Sequence, residues 1–403
     1  MPLDLTKPAH LDELYQLADQ YLENPSSSPS SLLSLEQQQS QNPDTSLRQR
    51  VALKLARSKA IIQQQFPAGQ TFFISILFAV YKEHRRILSS EQHPHGEDFL
   101  NRKIHQLHWL FDDSPQIKWK LIIIDDGCPD HSGQIARDII QKNDHNEVAE
   151  VLFLQQAIDE KLPVAAGLSS PADSQKGGAI LYGMWHAAQT SHADNTTHLI
   201  LYTDADLSTH LGQCGLLLEP FLNPETQCSI GSRREPSSVV VKKGKRNARG
   251  KLFIYLWKRL LSPLEKIIDT QCAFKAFRAD LVKEIIQNNI EKKFAFDIEL
   301  LLKTEQTHPA STQVIPLAWI DSEAASTTTD LEPYLPMLQS IVRMYRHYLP
   351  ANDKAEPFAQ LIESLSQESW QKLANEVPAE IADCEPAKLG DTELIPANQL
   401  LDI

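Results

Sequence analysis

From about Thr71 to Pro316, short β-branched apolar runs alternate with stretches in which apolar residues recur every three to four positions. The short runs predict strands over 73–80, 119–125, 150–155, 198–203, 226–231 and 312–318. The longer periodicity predicts helices that include 96–111, 131–142, 177–189 and 278–289. Alternation at crossover spacing predicts an α/β architecture, with a mainly parallel sheet flanked by helices. Before this region, Leu11, Leu14, Tyr15, Leu17, Ala18, Tyr21 and Leu22 form a helical apolar face. Residues 24–46 are rich in Ser, Pro and Gln and read as a mobile linker, and 47–66 as an amphipathic helix. After Pro333 the chain turns polar and helical, with Met337–Tyr348 amphipathic. The expected organisation is a helical N-terminal extension over 1–68, a central domain over 69–332 and a helical C-terminal extension over 333–403.

The strand ends carry the candidate chemistry. The run His198–Leu201 leads into Tyr202-Thr203-Asp204-Ala205-Asp206. Asp-x-Asp after a strand projects two carboxylates where open α/β sheets bind ligands, and two hard oxygen ligands there suit Mg²⁺ or Mn²⁺ on a diphosphate. Leu121–Ile124 ends in Asp125-Asp126-Gly127-Cys128-Pro129-Asp130. Asp125 or Asp126 can accept hydrogen bonds from a nucleobase or ribose, Gly127 permits a tight turn, and Asp130 reads as a helix cap. Lys176-Gly177-Gly178-Ala179 reads either as an anion-binding helix start or as a plain helix start with a solvated lysine. Phe296-Asp297-Ile298-Glu299 sets two acids in an apolar run, where unpaired charge is costly, so Asp297 or Glu299 is a candidate general base toward an acceptor.

Composition narrows the partners. The 403-residue chain carries a formal net charge of -13, which argues against general nucleic-acid binding. Residues 233–251 nonetheless hold eight basic residues against one acid, Glu235. This run leads into Leu252-Phe253-Ile254-Tyr255-Leu256-Trp257. It reads either as a peripheral membrane or phosphate-gripping segment or as a core helix with a basic lead-in. The five scattered cysteines form no CxxC pair, as expected of reduced thiols in a cytoplasmic protein. No apolar run reaches the length of a membrane span, and no secretory signal is evident.

Taken together, these motifs resemble family-two glycosyltransferases of the GT-A fold over about residues 71–330. The likeness is closest to the dolichyl-phosphate β-glucosyltransferases and bacterial polyprenyl-phosphate relatives. Ser75–Ile87 is similar to the family's first strand and following turn, with Lys82 in place of Asn. Asp125-Asp126-Gly127 with Asp130 matches the nucleotide-binding motif, with Cys128 for Ser. Lys176-Gly177-Gly178-Ala179 matches a family motif, with Leu181 where Arg is usual. Asp204-Ala205-Asp206 matches the metal motif, and Asp269-Thr270-Gln271-Cys272 through Phe277 the subgroup. Phe296–Glu299 and Trp319–Ser326 also align.

The resemblance implies inverting transfer from a nucleotide sugar, usually UDP-glucose, with Mg²⁺ or Mn²⁺ held by Asp204 and Asp206. It places Tyr81, Glu83, Asp125, Asp126, Lys176, Asp204 and Arg233 against the donor. Arg234, Arg249 and Gln271 would face the acceptor, a lipid phosphate or a soluble molecule, with Asp297 and Glu299 as catalytic acids. A nucleotidyltransferase and a non-catalytic nucleotide-sugar sensor are the competing readings. The first lacks its usual N-terminal Gly-rich loop, and the second sits poorly with an intact acidic set.

Overall fold

The computed structural model describes residues 3–24, 26–241, 246–321, 334–390 and 392–401. Nine strands are present among the described residues: β1 (Thr71–Val80), β2 (Ile117–Asp125), β3 (Ala149–Phe153), β4 (Thr196–Thr203), β5 (Cys228–Ser232), β6 (Val239–Val241), β7 (Phe274–Arg278), β8 (Thr312–Pro316) and β9 (Ala318–Ile320). Seven form one sheet in the order β3-β2-β1-β4-β7-β5-β8, and β6 pairs with β9 in a small parallel ribbon. All neighbours in the large sheet are parallel except β7, which runs antiparallel to both β4 and β5. The sequence pattern anticipates the six other strands of the large sheet. It misses β7, whose five residues include Lys275 and Arg278.

Strand alternation sends side chains into two separate cores. Ile74, Ile76, Phe78, Leu199 and Leu201 pack on one face, and Leu77, Ile122, Ile124, Ile200 and Tyr202 on the other. The first face is covered by α1 (Pro8–Leu22), α3 (Leu47–Gln65), α4 (Phe99–Phe111), α5 (Ser132–Lys142) and α8 (Cys214–Leu218). The second is covered by α6 (Leu154–Asp159), α7 (Gly177–Ala188), α9 (Arg246–Leu260), α10 (Ala279–Ile285) and α11 (Phe296–Thr307). Behind α9 pack α12 (Tyr334–Tyr348), α13 (Glu356–Ser364), α14 (Gln367–Asn375), α15 (Ala379–Ala382) and α16 (Ala397–Leu401).

Two stretches differ from the sequence expectation. The Ser/Pro/Gln-rich segment expected as a mobile linker holds a helix, α2 (Pro29–Gln41). Ser28 caps it by accepting from the Ser31 N–H, and Pro29 occupies its first turn, both favourable at a helix start. Its Leu32 packs with Leu53 and Ala60 of α3, and its buried Glu36 pairs with Lys54 and with Arg57, the latter at 2.8 Å. Lys54 Nζ also donates to the Pro316 carbonyl at 3.2 Å.

The second difference concerns the basic-aromatic run. Leu252, Tyr255, Leu256 and Trp257 of α9 are fully buried, with Tyr255 edge-on to Phe358 and Phe253 against Tyr334. Its cations reach carbonyls at the ends of neighbouring helices. Arg249 donates to Ala374 O at 3.2 Å and to Asn375 Oδ1 at 2.6 Å, and Lys251 donates to Ala382 O at 2.6 Å. Helix C-termini leave such carbonyls unpaired and favour positive charge. The run is therefore a core helix with basic caps, and Arg249 faces α14 rather than an acceptor. Lys242, Lys243 and Lys245 lie outside the described residues, as do Ser322–Ser326 of the Trp319–Ser326 motif.

Candidate active site

The parallel strands β1, β2, β4 and β5 end on one edge of the sheet. Because β7 is antiparallel, its lead-in Asp269–Ala273 arrives at that same edge. The strand order reverses direction between β1 and β4, so the acidic ends of β2 and β4 flank β1 at a topological switch point, where open α/β sheets bind ligands.

Lys176 joins the two acidic ends. It is the cap residue of α7, with φ at 81° beside Gln175 at 48°, both in the left-handed region that non-glycine residues rarely adopt. Its backbone N–H donates to Asp126 Oδ2 at 2.6 Å, and its ammonium pairs with Asp204 Oδ1. Gly177 follows because a Cβ there would lie 2.5 Å from the Lys293 carbonyl oxygen. The other Asp126 oxygen, Oδ1, is buried with no partner. Burial pushes the Asp126 carboxyl up to about 6, against the pull of Ser174 and the Lys176 N–H.

Asp204 and Asp206 diverge electrostatically. Packing alone would raise Asp204, but Lys176, with Lys103 and Arg233, holds it below the usual carboxylate range. Packing and then the Asp204 charge raise Asp206. The Asp206 carboxylate accepts from Ser208 N at 3.0 Å, while its backbone carbonyl accepts from the fully buried Lys103 Nζ at 2.8 Å. Burial pushes the Lys103 ammonium down to about 8. The loop continues to His210, whose Nδ1 accepts from Gly212 N at 2.9 Å, leaving Nε2 to donate to the Tyr15 hydroxyl at 3.1 Å. Helices α4 and α1 thus brace the Asp204–Asp206 loop from below.

At the end of β1, Tyr81 is 49% exposed, with the Lys82 ammonium 5.4 Å from its ring centroid. Glu83 is gripped by Arg86 at 3.0 and 3.2 Å, and Arg86 also binds Glu97. Burial, offset by Arg86 and reinforced by Asp206, pushes Glu83 up to about 7.

Several expected site residues have partners that redefine them. Asp125, expected against the nucleoside, turns inward and accepts from Cys128 N at 2.9 Å and Gly133 N at 2.7 Å; it shapes the loop below Asp126. Asp130 does not cap α5, whose cap residue is His131, and lies 3.5 Å from His84. Arg233 is locked to Asp269 through its backbone N–H, Nε and NH2 at 2.7–2.8 Å, and stacks 5.6 Å from the Trp319 ring. That guanidinium holds Asp269 well below the usual carboxylate range despite burial. Arg234 sits alongside, its N–H donating to Ser232 Oγ at 3.1 Å.

Asp297, a candidate base, accepts from Gln271 Nε2 at 2.9 Å and from the fully buried Lys275 Nζ at 3.1 Å. Glu299, the other candidate, is fully buried. Its oxygens accept from Ile290 N, Glu291 N and the Tyr348 hydroxyl. It is a structural carboxylate, because no oxygen remains free to face an acceptor.

Sequence reasoning missed Lys103, Lys275 and Arg86. Lys103 and Lys275 interrupt otherwise apolar faces (Phe99, Leu100, Ile104 and Leu107; Phe274 and Ala276), and a lysine at a core position is itself a signal of a buried partner.

Residues 96–286 match the model described as glycosyl transferase family 2. This chain carries a family 2 glycosyltransferase domain. The mainly parallel, helix-flanked sheet with an acidic rim is the α/β architecture expected from the sequence. Two dolichyl-phosphate beta-glucosyltransferases of Trichomonas vaginalis are similar to this family 2 chain. One is 25% identical over 236 residues, covering 57% of this chain and 61% of the relative. The other is 23% identical over 255 residues, covering 61% and 64%. The chain thus spans about three fifths of the length of these curated relatives. Among solved structures, glucosyl-3-phosphoglycerate synthase from Mycobacterium tuberculosis with Mn²⁺ and UDP-glucose is 17% identical, covering 74% of this chain and 84% of that one, with a TM-score of 0.47. The mannosyltransferase PcManGT from Pyrobaculum calidifontis is 11% identical, covering 93% and 89%, with a TM-score of 0.40. Among the described residues, no group of three or more His, Cys, Asp or Glu side chains stands together to hold a metal, and no helix is long and apolar enough to cross a membrane.

Proposed function

We propose that this chain is an inverting glycosyltransferase that moves glucose from UDP-glucose to a polyprenyl or dolichyl phosphate. The observation that carries the reading is the Lys176 turn, which ties Asp126 on the nucleoside side to Asp204 on the diphosphate side at the switch point. Asp126 Oδ1 has no hydrogen-bond partner; a buried acceptor without one is costly, which supports a role in accepting from a nucleobase or ribose donor.

The Asp-x-Asp pair fits a divalent cation. Asp206 takes one backbone hydrogen bond, and Asp204 is held by a single ammonium. Both keep lone pairs for a hard ion that completes its shell with diphosphate oxygens and water. Asp206, aided by Asp204, would hold Mg²⁺ or Mn²⁺. Such an ion offsets charge on the leaving nucleotide. Lys176 adds a second positive charge on the same side.

The paired acids favour a phosphate acceptor. An acceptor hydroxyl needs a general base, yet Asp297 is tied to Lys275 and Gln271 and Glu299 is enclosed. A phosphate oxygen is already ionised near neutral pH. It attacks the anomeric carbon, the bond to the donor phosphate oxygen breaks, and UDP leaves with the electron pair, so no strong base is required. The names of the curated relatives support the lipid-phosphate form. A soluble phosphorylated acceptor is the second reading, favoured by burial of the α9 aromatic face.

The test is incubation with Mn²⁺ and UDP-glucose, with and without polyprenyl phosphate, reading UDP release and product mass. A glucosyl phospholipid is the expected product. UDP release without lipid dependence would replace the lipid with a soluble acceptor. Binding without release on any acceptor would sink the enzyme reading.

A further inference from the structure

The loop between α10 and α11 connects the C-terminal helices to the Lys176 turn. Its residues Ile290 and Glu291 donate backbone N–H groups to Glu299 at 2.8 and 2.9 Å. Tyr348, near the end of α12, donates its hydroxyl to the same Glu299. Glu291, itself buried, accepts from Lys293 N at 2.6 Å and pairs with Arg343 of α12 at 3.3 Å. On the other side of the loop, the Lys292 carbonyl accepts from Gly178 N at 2.8 Å. The Lys292 and Lys293 carbonyls lie so close to Gly177 that any side chain there would displace them. The next residue back is Lys176.

We infer that Tyr348 and Glu299 form a strut from α12 through the 290–293 loop to the start of α7, which fixes the Lys176 turn at the donor site. Both are positioning residues that act through Lys176. The left-handed conformation of Gln175 and Lys176 is the reason a strut is needed, because such backbone persists only where its surroundings hold it. The C-terminal helices thereby become part of the donor-site support, in addition to covering α9. The donor consequence rests on the function proposed above; the mechanical connection does not.

The experiment uses the full chain and the substitution Tyr348→Phe, which removes one hydroxyl and keeps the ring. Hydrogen–deuterium exchange over residues 174–184 reads the connection directly, without any ligand. Faster exchange at Gly178 is expected, and unchanged exchange overturns the inference. Isothermal titration with Mn²⁺ and UDP reads the donor consequence. The hydroxyl bonds a charged group, so its loss is expected to weaken UDP binding about tenfold. In a Lys176→Ala background the same substitution is expected to weaken binding less than twofold. An equal loss in both backgrounds would show that Tyr348 acts on general stability and not through the turn. If the unaltered chain binds neither UDP nor UDP-sugars, the proposed function falls, while the exchange result still decides the strut. Arg346→Ala, on the same helix but paired with Glu356 and Glu363, serves as the control and is expected to leave both readouts unchanged.

Discussion

On the rim of the sheet, Asp126, Asp204 and Asp206 keep oxygens that few protein groups fill. In a second set, Asp125, Asp269, Asp297 and Glu299, every carboxylate oxygen has a partner. All seven come from motifs that look alike in the sequence, as acids at the ends of apolar runs or within them. What separates them is the group that stands opposite. Where the partner is a buried cation or a row of backbone N–H groups, the acid is a brace. Where a single ammonium or backbone N–H holds one oxygen and leaves the other without a partner, the acid is available to a ligand.

The comparison is most exposed to failure at Lys275. Removing one member of a buried ion pair typically costs about 3–5 kcal/mol, so Lys275→Met is expected to lower unfolding free energy by that amount in urea. A change below about 1 kcal/mol would move Asp297 from the braced set to the available one. Asp206→Asn tests the rim from the other direction. Its fold should survive, with sugar transfer reduced about 10²–10³-fold, the usual loss when a group stabilising transition-state charge is removed. Unchanged transfer would remove Asp206 from the proposed metal site.

Asp126 of the rim and Asp269 of the braced set differ in the sign of their pH dependence. Asp126 titrates higher in the folded chain, at about 6. Below the unfolded value both states are protonated, and as pH rises from about 4 toward 6 the unfolded chain releases its proton first. Stability therefore falls over that window, by at most about 1.4 kcal/mol per pH unit for one proton. Asp269 is depressed, so its contribution is present above the unfolded value near 4 and is lost as pH falls below it. Urea midpoints measured against pH should lose the upper slope in Asp126→Asn and the acid slope in Asp269→Asn. The same slope in both variants would erase the distinction. The smallest effect is expected at the surface. Arg346→Ala breaks half-exposed pairs with Glu356 and Glu363 and should cost less than about 1 kcal/mol.

The sequence shows periodicity and residue type well, and partners poorly. Six of the seven strands in the large sheet follow from apolar runs. β7 does not, because Lys275 breaks the run, and that lysine makes sense only opposite Asp297, 22 residues later. The Asp-x-Asp rim and the Lys-Gly-Gly turn were legible because their position after a strand or before a helix carries the meaning. Glu299 and Arg249 were not, since their roles depend on Tyr348 and on the end of α14. Residues 29–41 were misread because their Ser and Pro, common in linkers, are equally the residues that start a helix.

The contact of Lys54 with the Pro316 carbonyl spans 262 residues. During synthesis α3 leaves the ribosome well before β8 exists. At 5–20 residues per second, the wait is roughly ten to fifty seconds. Through that interval α3 can already pack Val51, Ala52 and Leu55 on α1 and on the earlier strands, while Lys54 still lacks the carbonyl that completes its bonding. Glu36, made before it, serves as its first partner. The nascent chain can thus keep this buried charge paired until the last strand of the sheet arrives.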